Sequence, residues 1–302
     1  MNSPDSEEVT VFVPVRNGAS TLRRCLSAIR SGDVSARVVV IDDHSSDASA
    51  RIAADCGADV VTAPGSGGLG AARNLALDTC RTRYLAFVNC DCYPRPDWLR
   101  LLRDALSESG AAVAGGYQHE LRHARLAERW KAVHLRQDLG DDDIDDPDYL
   151  SGGNLVMDLD RVGAMRFDPR YTMAYEDVDF CRRLRASGQL LVYRAAPTVD
   201  HDHAETLRSL PLKVWSYGIF SRSVGGFTGI SGALRACARM HRRPNDQVRN
   251  ALITDLRALR VEFLIVDLFL LATSLRFFLI GGRQPSRISA LLNPVVQERN
   301  GE

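Results

Sequence analysis

The apolar run Tyr84-Leu85-Ala86-Phe87-Val88 stops abruptly on Asn89-Cys90-Asp91-Cys92. A carboxylate between two thiols has two readings. Soft-metal binding by Cys90 and Cys92 needs a second pair of soft ligands, and the seven cysteines of the chain include no C-x-x-C pair. Alternation along an extended chain turns Asp91 away from the two thiols, where its carboxylate can hold Mg2+ or Mn2+ against phosphate oxygens. Asp42 and Asp43 follow a second apolar run. They can accept from the imide N–H of a pyrimidine or from a ribose hydroxyl. Asp42-Asp43-His44-Ser45-Ser46-Asp47 is also a good helix-capping sequence.

Three further clusters carry chemistry. Gly65-Ser66-Gly67-Gly68-Leu69-Gly70 lets backbone approach a phosphate, and the helix opening at Ala71 turns N–H groups toward it. Arg73, in the first turn, can reach a diphosphate or pair with the surface. The glycine run follows the third apolar strand rather than the first, and no acidic residue closes a strand about 20 residues later. Both facts argue against a dinucleotide-dependent oxidoreductase. Glu176, Asp177 and Asp179 precede Arg182, Arg183 and Arg185. They can complement a helix dipole, or one of them can act as a general base toward a hydroxyl. His201-x-His203 lies among Asp200 and Asp202 at a strand end, a spacing that offers metal ligands with carboxylates behind them.

The elements that must position these groups are short. Strands are expected at residues 9–15, 37–41, 58–62 and 84–88, with amphipathic helices between them. Ser20 is placed to cap a helix through Leu22, Cys25, Leu26 and Ile29, and Ser46 or Asp47 to cap the next. Such alternation builds βαβ units, hence an α/β fold with a mostly parallel twisted sheet flanked by helices. Ligands gather beyond the carboxyl ends of such strands. Pro14 to Asn17, Asp42 to Asp47 and Asn89 to Asp91 all fall there, which implies one shared crevice. Further on, a strand is expected at 111–116, a helix carrying Trp130 at 121–137, and another strand at 190–193.

Past residue 210 the pattern is helical. Residues 261–280 are strongly apolar, but Glu262, Asp267 and Arg276 interrupt them. A charge at mid-bilayer costs about 2.5–3.5 kcal/mol on insertion scales, so a packed or surface-lying helix is expected rather than a span. Its two candidate settings are a second subunit and a membrane surface. Arg235, Arg239, Arg242, Arg243, Arg257 and Arg260 favour anionic lipid.

Over all 302 residues, 38 Lys and Arg balance 38 Asp and Glu, so no nucleic-acid partner is implied. The odd cysteine count and irregular spacing exclude a disulfide framework and point to reduced thiols. The acidic, polar N-terminus has no secretory signature, and a cytoplasmic protein, peripheral at most to the inner face of the plasma membrane, is expected.

The order of the clusters is more specific than any one of them. PVRN, DDHSSD, GLGAARN, NCD, SGGN, EDVDFCRRLRASG and VDHDH, over residues 8–205, resemble a family 2 glycosyltransferase with the GT-A fold, which is Rossmann-like. The resemblance implies roles. Asp43, with Asp42, Pro14, Arg16 and Asn17, would bind base and ribose, with Arg73 and Asn89 nearby. Asp91 closes what in the family is an Asp-x-Asp motif, and would hold Mn2+ or Mg2+ together with His201. Asp177 would be the catalytic base and Glu176 would contact acceptor or donor sugar. Gly153 and Asn154, with Gly152, would line the acceptor side.

The implied reaction is inverting transfer from a nucleoside-diphosphate sugar to a hydroxyl acceptor. Candidate acceptors are a saccharide, a lipid-linked saccharide, a polysaccharide end, a natural product or a peptide. Asn89 departs from the motif, because an amide brings no charge. Weaker metal binding is expected, and the alternative is a non-catalytic nucleotide-sugar-binding protein. Residues 1–110 would form the nucleotide-sugar half and 111–210 the acceptor and catalytic half. Residues 211–302 would form a C-terminal helical extension, in contact with a membrane surface or with a second copy in a homodimer.

Overall fold

Alternate residues of the first strands enter opposite layers. In β1 (Val9–Val15), Val9, Val11, Val13 and Val15 join one apolar cluster and Phe12 joins the other. β2 (Arg37–Asp42) sends Val38 and Val40 to the first and Val39 and Ile41 to the second. β4 (Tyr84–Val88) divides likewise, with Leu85 and Phe87 in the second. This is the period of two on a sheet covered on both faces. The first layer is completed by α1 (Leu22–Arg30), α2 (Ser49–Asp55) and α4 (Trp98–Ser109). The second is completed by α3 (Gly68–Thr79), the short α6 (Leu159–Val162) and α7 (Glu176–Ala186).

The computed structural model describes residues 8–65, 68–172, 174–211, 213–214 and 251–281. Ser66 and Gly67 of the glycine run, Cys237, the arginines from 235 to 243 and the side chain of Arg276 lie outside the described residues.

The sheet runs β3 (Asp59–Thr62), β2, β1, β4, β8 (Asn154–Asp158), β6 (Val113–Glu120), β9 (Leu191–His201), β5 (Cys92–Pro94), with β7 (Ile144–Asp145) also on β9. From β3 to β4 every pairing is parallel. β8 then enters antiparallel to β4 and β6, β6 runs parallel to β9, and β5 and β7 run antiparallel to β9. The fold class expected from the sequence, α/β with a largely parallel central sheet and C-terminal helices, is the one found.

Helix starts differ from the capping expectation. Thr21, not Ser20, stands at the N-cap of α1, and its side chain makes no cap bond. Ala48 is the N-cap of α2, while Asp47 accepts from Ser49 N at 2.9 Å one residue outside it. Asp42 is the last residue of β2 rather than part of the following loop.

The chain divides into two units. Met1–Leu121 with Gln137–His203 form the sheet unit. Arg122–Arg136 with Ala204–Glu302 form the other, which contains α5 (Leu126–His134), α8 (Ala251–Arg257) and α9 (Val261–Gly281). Trp130, Leu210, Phe263, Val266 and Leu270 share its apolar cluster. Asp267, a break in the apolar run by sequence, is buried and accepts from Trp130 Nε1 at 2.8 Å. Among the described residues no helix is long and apolar enough to cross a membrane.

Candidate active site

Strand register assembles a carboxylate–imidazole cluster in the sheet unit. β5 pairs Cys92 with His201, and β6 pairs Glu120 with the same His201. A turn closed by Cys92 N donating to Asn89 O at 2.9 Å sets Asp91 just before β5, and Asp202 N donates to Asp91 O at 2.8 Å. Asp91 Oδ2 then lies 3.0 Å from His203 Nδ1 and 3.6 Å from His201 Nε2. The two rings stack with centroids 5.7 Å apart. One ligand atom from each of the three residues falls within 4.8 Å of the others. Glu120 Oε1 takes up His201 Nδ1 at 2.9 Å, leaving Nε2 facing Asp91.

Burial alone would raise the Asp91 carboxyl. The charge of His201 and hydrogen bonds from both histidines outweigh it and hold the group well below the usual range. An ionised oxygen and two ring nitrogens so grouped fit a divalent ion. No cysteine joins the cluster among the described residues. Cys92 packs in the first apolar layer, and burial followed by neighbouring charge pushes the Cys25, Cys90 and Cys92 thiols up, so they stay protonated.

The ends of β1 and β2 are knotted together beside this. Pro14 is buried and pairs with Ile41 across the strands. Asn17 takes the left-handed region at φ 55°. Its N–H donates to Ser45 Oγ at 3.0 Å, and its Oδ1 accepts from Ser46 N at 2.7 Å. Asp47 accepts from Ala19 N, and Ser49 Oγ accepts from Gly18 N. Asp42 accepts weakly from Ser45 N at 3.3 Å. The capping reading therefore describes Asp47, while Asp43 is left for other work. Its Oδ2 lies 3.6 Å from exposed Arg16, and its Oδ1 is buried with no hydrogen-bond partner among the described residues.

At the start of α7, Asp177 Oδ2 accepts from Gly152 N at 2.8 Å and Oδ1 from Val178 N at 2.8 Å. The preceding Tyr175, at φ 76°, makes a left-handed N-cap. Glu176 and Arg73 are placed otherwise than expected. Arg73 is neither a surface residue nor free to reach a diphosphate. Its guanidinium is 2% exposed, lies over the Phe87 and Phe167 rings, and pairs with Glu176 Oε1 at 3.2 Å. Glu176 is equally buried, so in this arrangement it pairs with Arg73 and is not open to a sugar. Burial raises its carboxyl to about 7, Asp177 adds to the rise, and Arg73 opposes it without cancelling it.

Asn154 also has another task. It is fully buried, accepts from Trp98 Nε1 at 2.6 Å, and donates to Tyr117 O at 2.8 Å and Pro197 O at 3.2 Å. It thereby clasps the irregularity where β6 and β9 shift register after Gly116. With its amide satisfied on both sides, Asn154 does not line an acceptor surface. Gly153 does sit at the site, because a Cβ there would come within 2.9 Å of Asn89 Nδ2 and 3.0 Å of Gln118 Nε2.

These contacts form a continuous chain. Gly18 abuts Cys90, Asn89 abuts Gly153, and Gly152 holds Asp177. The strand-end loops thus meet in one region, as the crevice reading expects. Glu120 and Gln118 are the members that sequence reasoning left unassigned. The H-x-H spacing had already offered His203 beside His201, and both fall in the cluster. Glu120 stands 81 positions from its histidine and had no local signal.

Residues 10–150 match the family model described as glycosyl transferase family 2. A pre-mycofactocin glycosyltransferase of Mycobacterium tuberculosis (strain ATCC 25618 / H37Rv) is 33% identical over 230 residues, 72% of this chain and 47% of that protein. The chain belongs to glycosyltransferase family 2. Glycosyltransferase AglE of Haloferax volcanii is 27% identical over 215 residues, 61% of this chain and 69% of that one. The family 2 chain spans about half, 47%, of the mycobacterial relative's length. Among solved structures, Staphylococcus aureus TarS 1–349 aligns with a TM-score of 0.55 at 15% identity, over 91% of this chain and 92% of that one. A mycobacterial protein aligns at 0.50 over 78% of this chain and 76% of that one. The likeness gives the fold, GT-A.

Proposed function

We propose that this family 2 chain is an inverting glycosyltransferase that moves a sugar from a nucleoside-diphosphate sugar to a hydroxyl acceptor, with a divalent ion at Asp91, His201 and His203. The observation that carries the reading is the Asp91–His201–His203 cluster just past the carboxyl end of β4, where neighbouring Cys90 lies against Gly18 of the β1 loop and Asn89 against Gly153, whose neighbour Gly152 holds Asp177. Solved forms of TarS hold UDP and UDP-GlcNAc, which supports a nucleotide-sugar donor here.

Each residue has a part. Asp43 Oδ1 is a buried acceptor suited to a base or ribose N–H or O–H, with Arg16 and Asn17 beside it. Asp91, His201 and His203 would hold a divalent ion, which would supply positive charge where the diphosphate departs. Asp177, fixed by two backbone N–H groups, takes the acceptor's proton as its oxygen attacks the anomeric carbon from the face opposite the leaving group. No covalent sugar–enzyme intermediate forms, so configuration inverts. Gly153 lets Asn89 and Gln118 pack close on the acceptor side.

A panel of UDP-, GDP- and TDP-sugars with Mn2+ or Mg2+, against saccharides, lipid-linked saccharides and the pre-mycofactocin named by the mycobacterial relative, tests this. Product anomers read by NMR should be inverted, and retained configuration overturns the mechanism. Binding of a sugar nucleotide with no transfer to any acceptor favours the non-catalytic reading that Asn89 motivates. A cytoplasmic location, with the helical unit touching a membrane face or a second copy, is part of the proposal. Leu259, Val261, Ile265 and Leu268 are exposed there. Flotation with anionic vesicles and sedimentation velocity separate the two, and a free monomer by both removes them.

A further inference from the structure

Ser151 opens the turn that holds the proposed base. Asn154 N donates to Ser151 O at 3.2 Å and closes that turn, and Gly152 N donates to Asp177 Oδ2 at 2.8 Å. Ser151 is half-buried, whereas Gly152, Gly153 and Asn154 are buried. Its hydroxyl oxygen is met from within the protein by two N–H groups. Gln118 Nε2 donates to Ser151 Oγ at 2.6 Å, and Gly153 N donates to it at 3.4 Å. A serine hydroxyl offers two lone pairs and one hydrogen. Both lone pairs are taken, and among the described residues no acceptor takes the hydrogen. Gln118 is 1% exposed, so it acts through Ser151 and not on a substrate. It fixes which way the hydroxyl points, because its NH2 end faces Ser151 while its Oε1 has no partner among the described residues. An oxygen in place of that NH2 would take the hydrogen for itself.

We infer that Ser151, oriented by Gln118, donates its hydroxyl hydrogen to a second oxygen of the acceptor beside the hydroxyl that attacks, and that the acceptor is therefore a saccharide or similar polyol rather than a molecule with one isolated hydroxyl. The inference rests on the transfer reading above and narrows its acceptor class. Asp177 receives the proton of the attacking hydroxyl, and the residue that holds it, Gly152, is the neighbour of Ser151, with Cα atoms about 3.8 Å apart. A group that meets Ser151 is therefore close to the attacking oxygen. Sugar rings carry hydroxyls on adjacent carbons and present two oxygens to such a pair. A simple alcohol or a serine side chain puts carbon there and leaves the Ser151 hydrogen without an acceptor. A site that hydrogen-bonds a substrate hydroxyl rejects the analogue lacking it, because its own polar group is then unpaired.

The test uses the full chain with Mn2+ and a donor accepted from the sugar-nucleotide panel. The acceptors are methyl glucoside, methyl mannoside and methyl galactoside, their monodeoxy forms, cyclohexanol and a serine-containing peptide. Wild-type kcat/KM for the accepted glycoside should exceed that for cyclohexanol and the peptide by at least about tenfold, and loss of the hydroxyl beside the attacked one should cost about tenfold. Ser151→Ala should lose that factor on the glycoside and lose nothing further on its deoxy form. Gln118→Glu should behave as Ser151→Ala does, because its oxygen takes the hydrogen. A merely structural role would slow glycoside and deoxy form alike in both variants, and that result overturns the inference. So does transfer to cyclohexanol as fast as to a glycoside, or selectivity that follows deoxygenation of the donor sugar and not of the acceptor. The wild-type comparison of glycoside and deoxy form decides the matter even if a variant does not fold. Failure of the transfer reading looks different. If no acceptor is glycosylated, saturation-transfer NMR of the same glycosides with the chain, UDP and Mn2+ reads the site directly. Glycoside contact that weakens in the deoxy form and in Ser151→Ala then keeps the inference without the transferase, and contact no stronger than that of cyclohexanol removes both.

Discussion

Arg73 and Glu176 form an ion pair at 3.2 Å with both side chains almost wholly out of water. The pair lies between the Phe87 and Phe167 rings on one side and the start of α7, with Asp177, on the other. It is the support on which the proposed base rests, and its properties can be measured.

Breaking one half should be costly. A buried charge left without its partner typically costs about 3–5 kcal/mol, and Glu176 can soften this by taking a proton. Arg73→Met is expected to lose about 3 kcal/mol in urea unfolding. Arg73→Met with Glu176→Leu should recover most of that. A double variant as unstable as the single one would contradict the pairing.

The pH dependence follows from the same carboxyl. Burial raises Glu176 from 4.5 to about 7, so the folded state keeps a proton that the unfolded chain releases. The associated stability is fully present below about 4.5 and is lost as pH rises through about 7. Across that window the wild type should lose up to about 3 kcal/mol relative to Glu176→Gln. Parallel stability curves for the two proteins would show that Glu176 is ionised throughout.

Gly152 is required by volume. A Cβ there would stand 1.6 Å from Arg73 Nη1, and the Gly152 N–H holds Asp177. Gly152→Ala is expected to cost about 1–3 kcal/mol and to lower kcat more than it raises KM, because the base moves with the loop. Unchanged stability and kcat would mean that Arg73 has room to shift.

Asn154 should behave as a structural residue. Asn154→Leu leaves Trp98 Nε1, Tyr117 O and Pro197 O without their buried partner, at about 1–3 kcal/mol for each such group. Thermal unfolding should fall sharply while acceptor KM in the surviving fold changes little. A large KM effect with intact stability would restore the acceptor role.

The layers of this fold were legible because Val, Ile and Phe alternate on strands buried on both faces, and the strand-end clusters followed from the same runs. Register was not legible, since it is set by tertiary pairing. Hence Glu120 opposite His201, and β8 entering antiparallel between β4 and β6, had no local mark. First-turn position after the glycine run made Arg73 read as a diphosphate contact or a surface side chain. Only the distant Glu176, Phe87 and Phe167 explain its burial. Asn154 was misread for the same reason, because its partners Trp98, Tyr117 and Pro197 are scattered along the chain. Ser20 and Ser46 had good capping chemistry, but Thr21 and Ala48 occupy those positions in the fold.

The central claim is that Asp177 removes the acceptor's proton at a site organised by Asp91 and its histidines. Sugar transfer measured at saturating donor and Mn2+, in wild type and Asp177→Asn, tests it most directly. Asparagine can still accept from one of the two backbone N–H groups, Gly152 or Val178, but cannot take the proton, so the rate should fall by about 10²–10⁴-fold with donor binding preserved. Equal transfer rates in the two proteins would contradict it.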